Sequence, residues 1–216
     1  MTVTESSALT AATIAELTAG DSFVDAMIGI GLAKDSEAVY FEYTGEKEYA
    51  AIIDPRSGKP VKRLGNLMLT SIAVVKDIGE FKSTKLNLFL QTAQGRTLML
   101  TSGLTSIWSQ CVLTGLMEVW NSDKLNELIS IETWRGNSRM KPCFAAIKVN
   151  NQKLSDSHMY NQLKDARSEG NSAKVMNICN DAAELLNHAI NGSSTEEAIE
   201  VSVTDTTPNN VIQGDF

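Results

Sequence analysis

Lys85-Leu-Asn-Leu-Phe-Leu-Gln-Thr92, then Ala93-Gln94-Gly95, then Arg96-Thr-Leu-Met-Leu-Thr101: this stretch decides how the chain is read. Leu86, Leu88 and Leu90 alternate with Asn87, Phe89 and Gln91, the period of a strand buried on one face. Leu98 and Leu100 repeat the pattern after the turn, so the stretch reads as a β-hairpin. Beyond Ser102-Gly103, the residues Trp108, Cys111, Val112, Leu116 and Val119 recur at helical spacing, with Thr105 as the expected N-cap. A second hairpin pairs 128–134 with 143–149 across a loop holding Arg135, Gly136, Arg139 and Lys141. One further strand, about Leu67 to Val75, precedes the first hairpin.

The resulting order is strand, strand, strand, helix, strand, strand. That is the order of an OB-fold-like five-stranded barrel. The expected fold class is therefore mostly β with helices. Its divisions are an N-terminal arm and β-hairpin packed on the barrel (1–65), the barrel (66–150), C-terminal helices (151–190) and a disordered acidic tail (191–216).

Composition bounds the function. The 216 residues carry 43% hydrophobic side chains and a net charge of −7, ordinary for a soluble globular chain. The charge is unevenly placed: −7 over residues 1–50, +6 over 51–150 and −6 over 151–216. The basic middle coincides with the expected barrel. No apolar run approaches the roughly 20 residues of a membrane span, and the N-terminus lacks a secretory signal. Cys111, Cys143 and Cys179 are odd in number and widely spaced, which suits reduced thiols in the cytoplasm.

Outside the barrel, residues 1–20 suggest a loose arm or a short helix from Ala8 to Leu17. Gly29-Ile-Gly31 lacks the third glycine of a dinucleotide loop and reads as a turn. The segments 38–43 and 49–53 read as a hairpin, and 54–63 as an exposed basic loop. In that loop Gly58-Lys59 fails as a phosphate loop, because Ile53 and Pro60 stand where Gly and Ser or Thr are required. Helices are expected over 156–168 and 173–189, broken at Gly170-Asn171. Val175, Ile178, Ala182 and Leu185/Leu186 supply the apolar stripe of the second. No nucleophile, metal or paired-acid motif appears, and His158 and His188 read as lone surface residues. The chain is therefore expected to be neither an enzyme nor a cofactor binder.

If the leucines with Ile129, Ile131, Ala145 and Ile147 face inward, then Phe89, Met99, Trp134, Phe144 and Lys148 face outward. Rings beside Arg96, Arg135, Arg139 and Lys141 are what single-stranded nucleic acid needs. Bases stack on the rings at about 1–3 kcal/mol each, while cations neutralise phosphates. The competing expectation for each ring is burial under the flanking segments. Trp108 and Trp120 are read as core.

The element order, the outward aromatics and the acidic end closing on Asp215-Phe216 resemble the OB-fold single-stranded DNA-binding proteins of bacteria and tailed phages. The resemblance covers residues 66–150 and the last few residues. It implies DNA replication, recombination and repair as the setting, single-stranded DNA as ligand, and replication or recombination enzymes recruited through Asp215 and Phe216. It implies no membrane association. A strand-annealing protein would use the same groove and self-associate into a homo-oligomer. An RNA-binding or non-enzymatic interaction module is the remaining alternative.

Overall fold

The computed structural model describes residues 24–45, 48–78 and 82–196. Its strands are β1 (Ala26–Ile30), β2 (Tyr40–Tyr43), β3 (Tyr49–Ala51), β4 (Arg63–Ile78), β5 (Ser83–Thr92), β6 (Thr97–Gly103), β7 (Ile129–Arg135), β8 (Cys143–Val149) and β9 (Gln152–Leu154). The helices among the described residues are α1 (Ile107–Asn121), α2 (Ser157–Ser168) and α3 (Ser172–Glu196). All nine strands join one sheet in the order β3-β2-β1-β6-β5-β4-β7-β8-β9. The fold is thus mostly β with helices.

The segment before the barrel-like stretch is an integral part of that sheet. It does not merely pack on it, because β1 runs parallel to β6, aligning Ile28 with Leu100. Parallel pairing needs a long crossover, which is why no local pattern announces it.

The long strand β4 organises the rest by serving two partners. Its start pairs with β7 (Arg63 with Glu132, Leu64 with Ile131), and its remainder pairs with β5. Between these stretches the register slips at Gly65 and Asn66, and Asn66 has a left-handed φ of 57°. An irregularity of this kind bends a strand and increases its twist. A second slip, between Leu69 and Ser71, is met by α3: Asn187 Oδ1 accepts from the Ile72 N–H and the Ser71 hydroxyl, both at 3.3 Å.

The inward set is as the alternation implies. Leu86, Leu88, Leu90, Leu100, Ile129, Ile131, Ala145 and Ile147 are buried in one cluster with Trp108, Val112, Leu116, Val175, Cys179 and Leu186. Helix α1 lies close on β8: a Cβ on Gly115 would fall 2.5 Å from Ile147 Cγ1, so only glycine fits there. The α1 N-cap is Ser106, one residue after the expected Thr105, since the Ser106 Oγ accepts from the Ser109 N–H at 3.1 Å. Asp156 caps α2, and Gly170, at φ 66°, turns the chain into α3. Helix α3 continues past the expected end near Ala189 to Glu196, so Gly192 does not stop it. On its stripe Leu185 is half exposed while Leu186 is fully buried. The expected Ala8–Leu17 helix and most of the expected tail, with Asp215 and Phe216, lie outside the described residues.

A short polar chain threads this apolar core. Trp108 Nε1 donates to Thr133 Oγ1 at 2.9 Å, and Thr133 Oγ1 lies 2.7 Å from the Tyr40 hydroxyl. That hydroxyl donates to the Ile131 carbonyl at 3.1 Å. With the Tyr40 proton committed there, the Thr133 proton must point to Tyr40, leaving its oxygen free to accept from Trp108. Each group is satisfied, and α1, β2 and β7 are joined through one threonine. Burial pushes the Tyr40 phenol well above its ordinary range, with the Thr133 contact opposing the shift. Thr133→Val keeps the shape but leaves the Trp108 N–H without an acceptor. Urea unfolding of this variant should show about 1–3 kcal/mol lost with an unchanged denaturant slope; equal stability would mean that the chain of hydrogen bonds contributes nothing.

Candidate nucleic-acid interface

Along β7 and β8 the odd-numbered residues face the core, so Ser130, Glu132 and Trp134, with Phe144, Ala146 and Lys148, share the opposite face. Trp134 stands directly across from Phe144. Their rings stack with centroids 6.1 Å apart and planes 15° from parallel. Trp134 keeps 39% of its surface exposed, and Phe144 is partly exposed. Just past the end of β7 lies Gly136, where a Cβ would come within 2.7 Å of Phe144 Cε2. The absent side chain leaves room for the ring to lie over the backbone. This near-coplanar pair with an open face is the kind of platform on which a flat apolar ring stacks.

The third expected ring is elsewhere. Phe89 pairs with Met99 and Ser71 on the outward face of β5, but it is only 6% exposed, and Met99 only 3%. Phe89 cannot stack on a base, and the outward face of this hairpin is interior. Alternation tells which residues share a face; it does not tell whether a second layer covers that face.

The expected cations divide likewise. Arg135 is a structural residue, contrary to its assignment to phosphates. Its Nε and one terminal nitrogen donate to the Ala38 carbonyl at 3.2 and 2.9 Å. The same nitrogen reaches the Ala33 carbonyl at 2.6 Å, and the other reaches Lys141 O at 3.3 Å. The guanidinium thus ties the loop between β1 and β2 to the end of β7. Beside it the Cys143 thiol is raised by burial, with the Arg135 charge opposing. Gly31, at φ 66°, lies so close that a Cβ there would meet Cys143 Sγ at 2.8 Å.

Lys148 forms an ion pair with Glu132 on the outward face, so it brings little net positive charge. Arg96 is exposed at the β5–β6 turn, which β4 separates from β7 in the sheet order, and is not part of the ring platform. Arg139 and Lys141 are exposed in the β7–β8 loop, which begins at Gly136, directly after Arg135.

Several members of this surface escaped the sequence reading. Lys62 lines a shallow cleft of about 450 Å³ together with the expected Lys141 and Trp134, and with Asn137, Asp35 and Glu37. Arg63 enters through its register opposite Glu132 and donates to Ser130 Oγ at 3.2 Å and Asn151 Oδ1 at 3.0 Å. Only the basic character of the 54–63 loop hinted at them, since the β4–β7 register is set at long range. Among the described residues no group of three or more His, Cys, Asp and Glu side chains is placed to hold a metal ion. No helix among them is long and apolar enough to cross a membrane.

No family model, curated protein or solved structure matches this chain.

The two kinds of arginine separate by experiment. Arg135→Ala strips the carbonyls of Ala33, Ala38 and Lys141 of a charged donor and should cost about 2 kcal/mol of stability, read as a lowered urea midpoint. Arg139→Ala, on an exposed loop, should leave the midpoint unchanged to within about 0.5 kcal/mol. The reverse ranking would contradict the assignment.

Proposed function

We propose that this chain binds single-stranded DNA on the outward face of β7 and β8, without enzymatic activity of its own. The observation that carries the reading is the Trp134–Phe144 stack, exposed beside a loop bearing Arg139 and Lys141. Two adjoining apolar rings at a surface form a contiguous patch of the kind that marks an interaction site, and a base offers a π-face to such rings whatever its sequence.

The strand neighbours favour the OB-fold-like reading. Beta5 lies between β4 and β6, and β4 and β8 flank β7. These are four of the five neighbour relations of that barrel. In place of the fifth, β1 lies along the free edge of β6. Arg135 then links the β1–β2 loop to the end of β7. The platform sits on the β7–β8 pair, at the mouth of the loop that follows β7.

Binding would follow the ordinary physics of single strands. Stacking on Trp134 contributes the sequence-tolerant part, and phosphate neutralisation by Arg139, Lys141 and Lys62 contributes the salt-dependent part. On this reading Asp215 and Phe216, at the end of an acidic segment, are the contact for replication or recombination enzymes.

Titration of a fluorescent oligo-dT at two salt concentrations tests the proposal. Trp134→Ala should weaken binding by about 1–3 kcal/mol with stability preserved. Replacing Arg139 and Lys141 together by Ala should flatten the salt slope by about 1.4, or 0.7 per lost phosphate contact. If Trp134→Ala binds oligo-dT as the parent does, the platform is not the DNA site.

A further inference from the structure

A second feature lies along the edge of β8 and borders the ring platform, sharing Trp134 and Phe144 with it. Asn150 and Asn151, at φ 50° and 64°, form the two-residue turn between β8 and β9. Such a turn is flanked by a hydrogen-bonded pair, here Val149 with Gln152. By alternation, Ile147 and Ala145 direct their N–H and C=O groups to the same edge as Val149. The Thr133 N–H agrees, since it points away from Ala145 to the Lys62 carbonyl at 2.7 Å. Strand β9 ends at Leu154, opposite Ile147. The edge-facing main-chain groups of Ala145 therefore lie past the end of the β8–β9 pairing.

This unpaired edge opens into a groove of about 300 Å³, walled by Phe144 and Trp134, by Ile107, Gln110 and Cys111 of α1, and by Tyr160 and Arg167 of α2. Tyr160 is 51% exposed. Gln110, 5% exposed, donates its Nε2 to the Thr105 carbonyl at 2.8 Å and leaves Oε1 without a partner. The charges lining the groove are Lys153 and Arg167, with no carboxylate among the lining residues. A free strand edge offers main-chain hydrogen bonds to an extended chain. Two cations without an anion select its charge.

We propose that the free edge of β8 binds an acidic, extended peptide of a partner protein, which adds as a strand beside Ala145. The peptide main chain pairs with Ala145, its apolar side chains rest on Phe144 and Tyr160, and its carboxylates meet Lys153 and Arg167. The free edge, more than the stacked rings, favours a peptide over a nucleotide, because a nucleotide has no main chain to pair with a strand.

The test pans phage-displayed random dodecapeptides against the full chain. The expected pool is acidic and free of proline across its central residues. A synthetic peptide from that pool should shift the Ala145 amide in ¹H–¹⁵N spectra. Against the Lys153→Glu/Arg167→Glu variant, whose two changes are both at exposed positions, that peptide should bind about tenfold more weakly, and panning should select basic sequences instead. Binding of oligo-dT, measured alongside, reports separately on the Trp134 platform. A pool without acidic bias, equal binding to the charge-reversed variant, or an Ala145 amide that only oligo-dT shifts would each overturn the proposal.

Discussion

Thr133 is the point through which this structure is held together. Its hydroxyl receives the Trp108 N–H and gives its own proton to Tyr40, which passes the chain on to the Ile131 carbonyl. Three groups that would each be costly to bury alone are satisfied by one another. The arrangement also fixes geometry. Helix α1 is set against β7, and β2, which reaches β7 only through β1, β6, β5 and β4 in the sheet order, is drawn to it directly. Thr133 lies one residue before Trp134, so the constraint that orients the inner face of β7 also orients the outward ring.

Around that point the molecule separates two kinds of polar contact. Inside, the Trp108–Thr133–Tyr40 bonds are closed among themselves, and Arg135 is spent on the carbonyls of Ala33 and Ala38. Outside, Arg139 and Lys141 stay exposed, and Trp134 and Phe144 stack only on each other among the ring pairs of the described residues.

Much of this was readable from single residues in order. The alternation through 86–90 and 98–100, the helical spacing from Trp108 to Val119, and the second hairpin all stand, because each is a short-range pattern set by side-chain period. The missing information was long-range. The pairing of β1 with β6 leaves no local trace, and neither does the register that brings Arg63 opposite Glu132. Phe89 and Trp134 look alike in sequence, each a ring at an outward strand position. What separates them is whether another layer lies above, which depends on the whole fold. Arg135 and Arg139 differ in the same way: carbonyls from a loop about a hundred positions earlier in the chain claim the first. The polar composition after residue 190 misled about where α3 ends, because a helix under way carries a glycine such as Gly192 at a cost of only about 1 kcal/mol.

The central claim is that single strands lie on the ring pair of β7 and β8. Photo-cross-linking of a bromodeoxyuridine oligonucleotide to the full chain, followed by peptide mass spectrometry, addresses that claim most directly. A stacked base should cross-link to the peptide carrying Trp134 or to the one carrying Phe144, and excess unlabelled oligo-dT should suppress the adduct. Cross-links confined to the β5–β6 turn around Arg96, with the β7 and β8 peptides unmodified, would contradict the account.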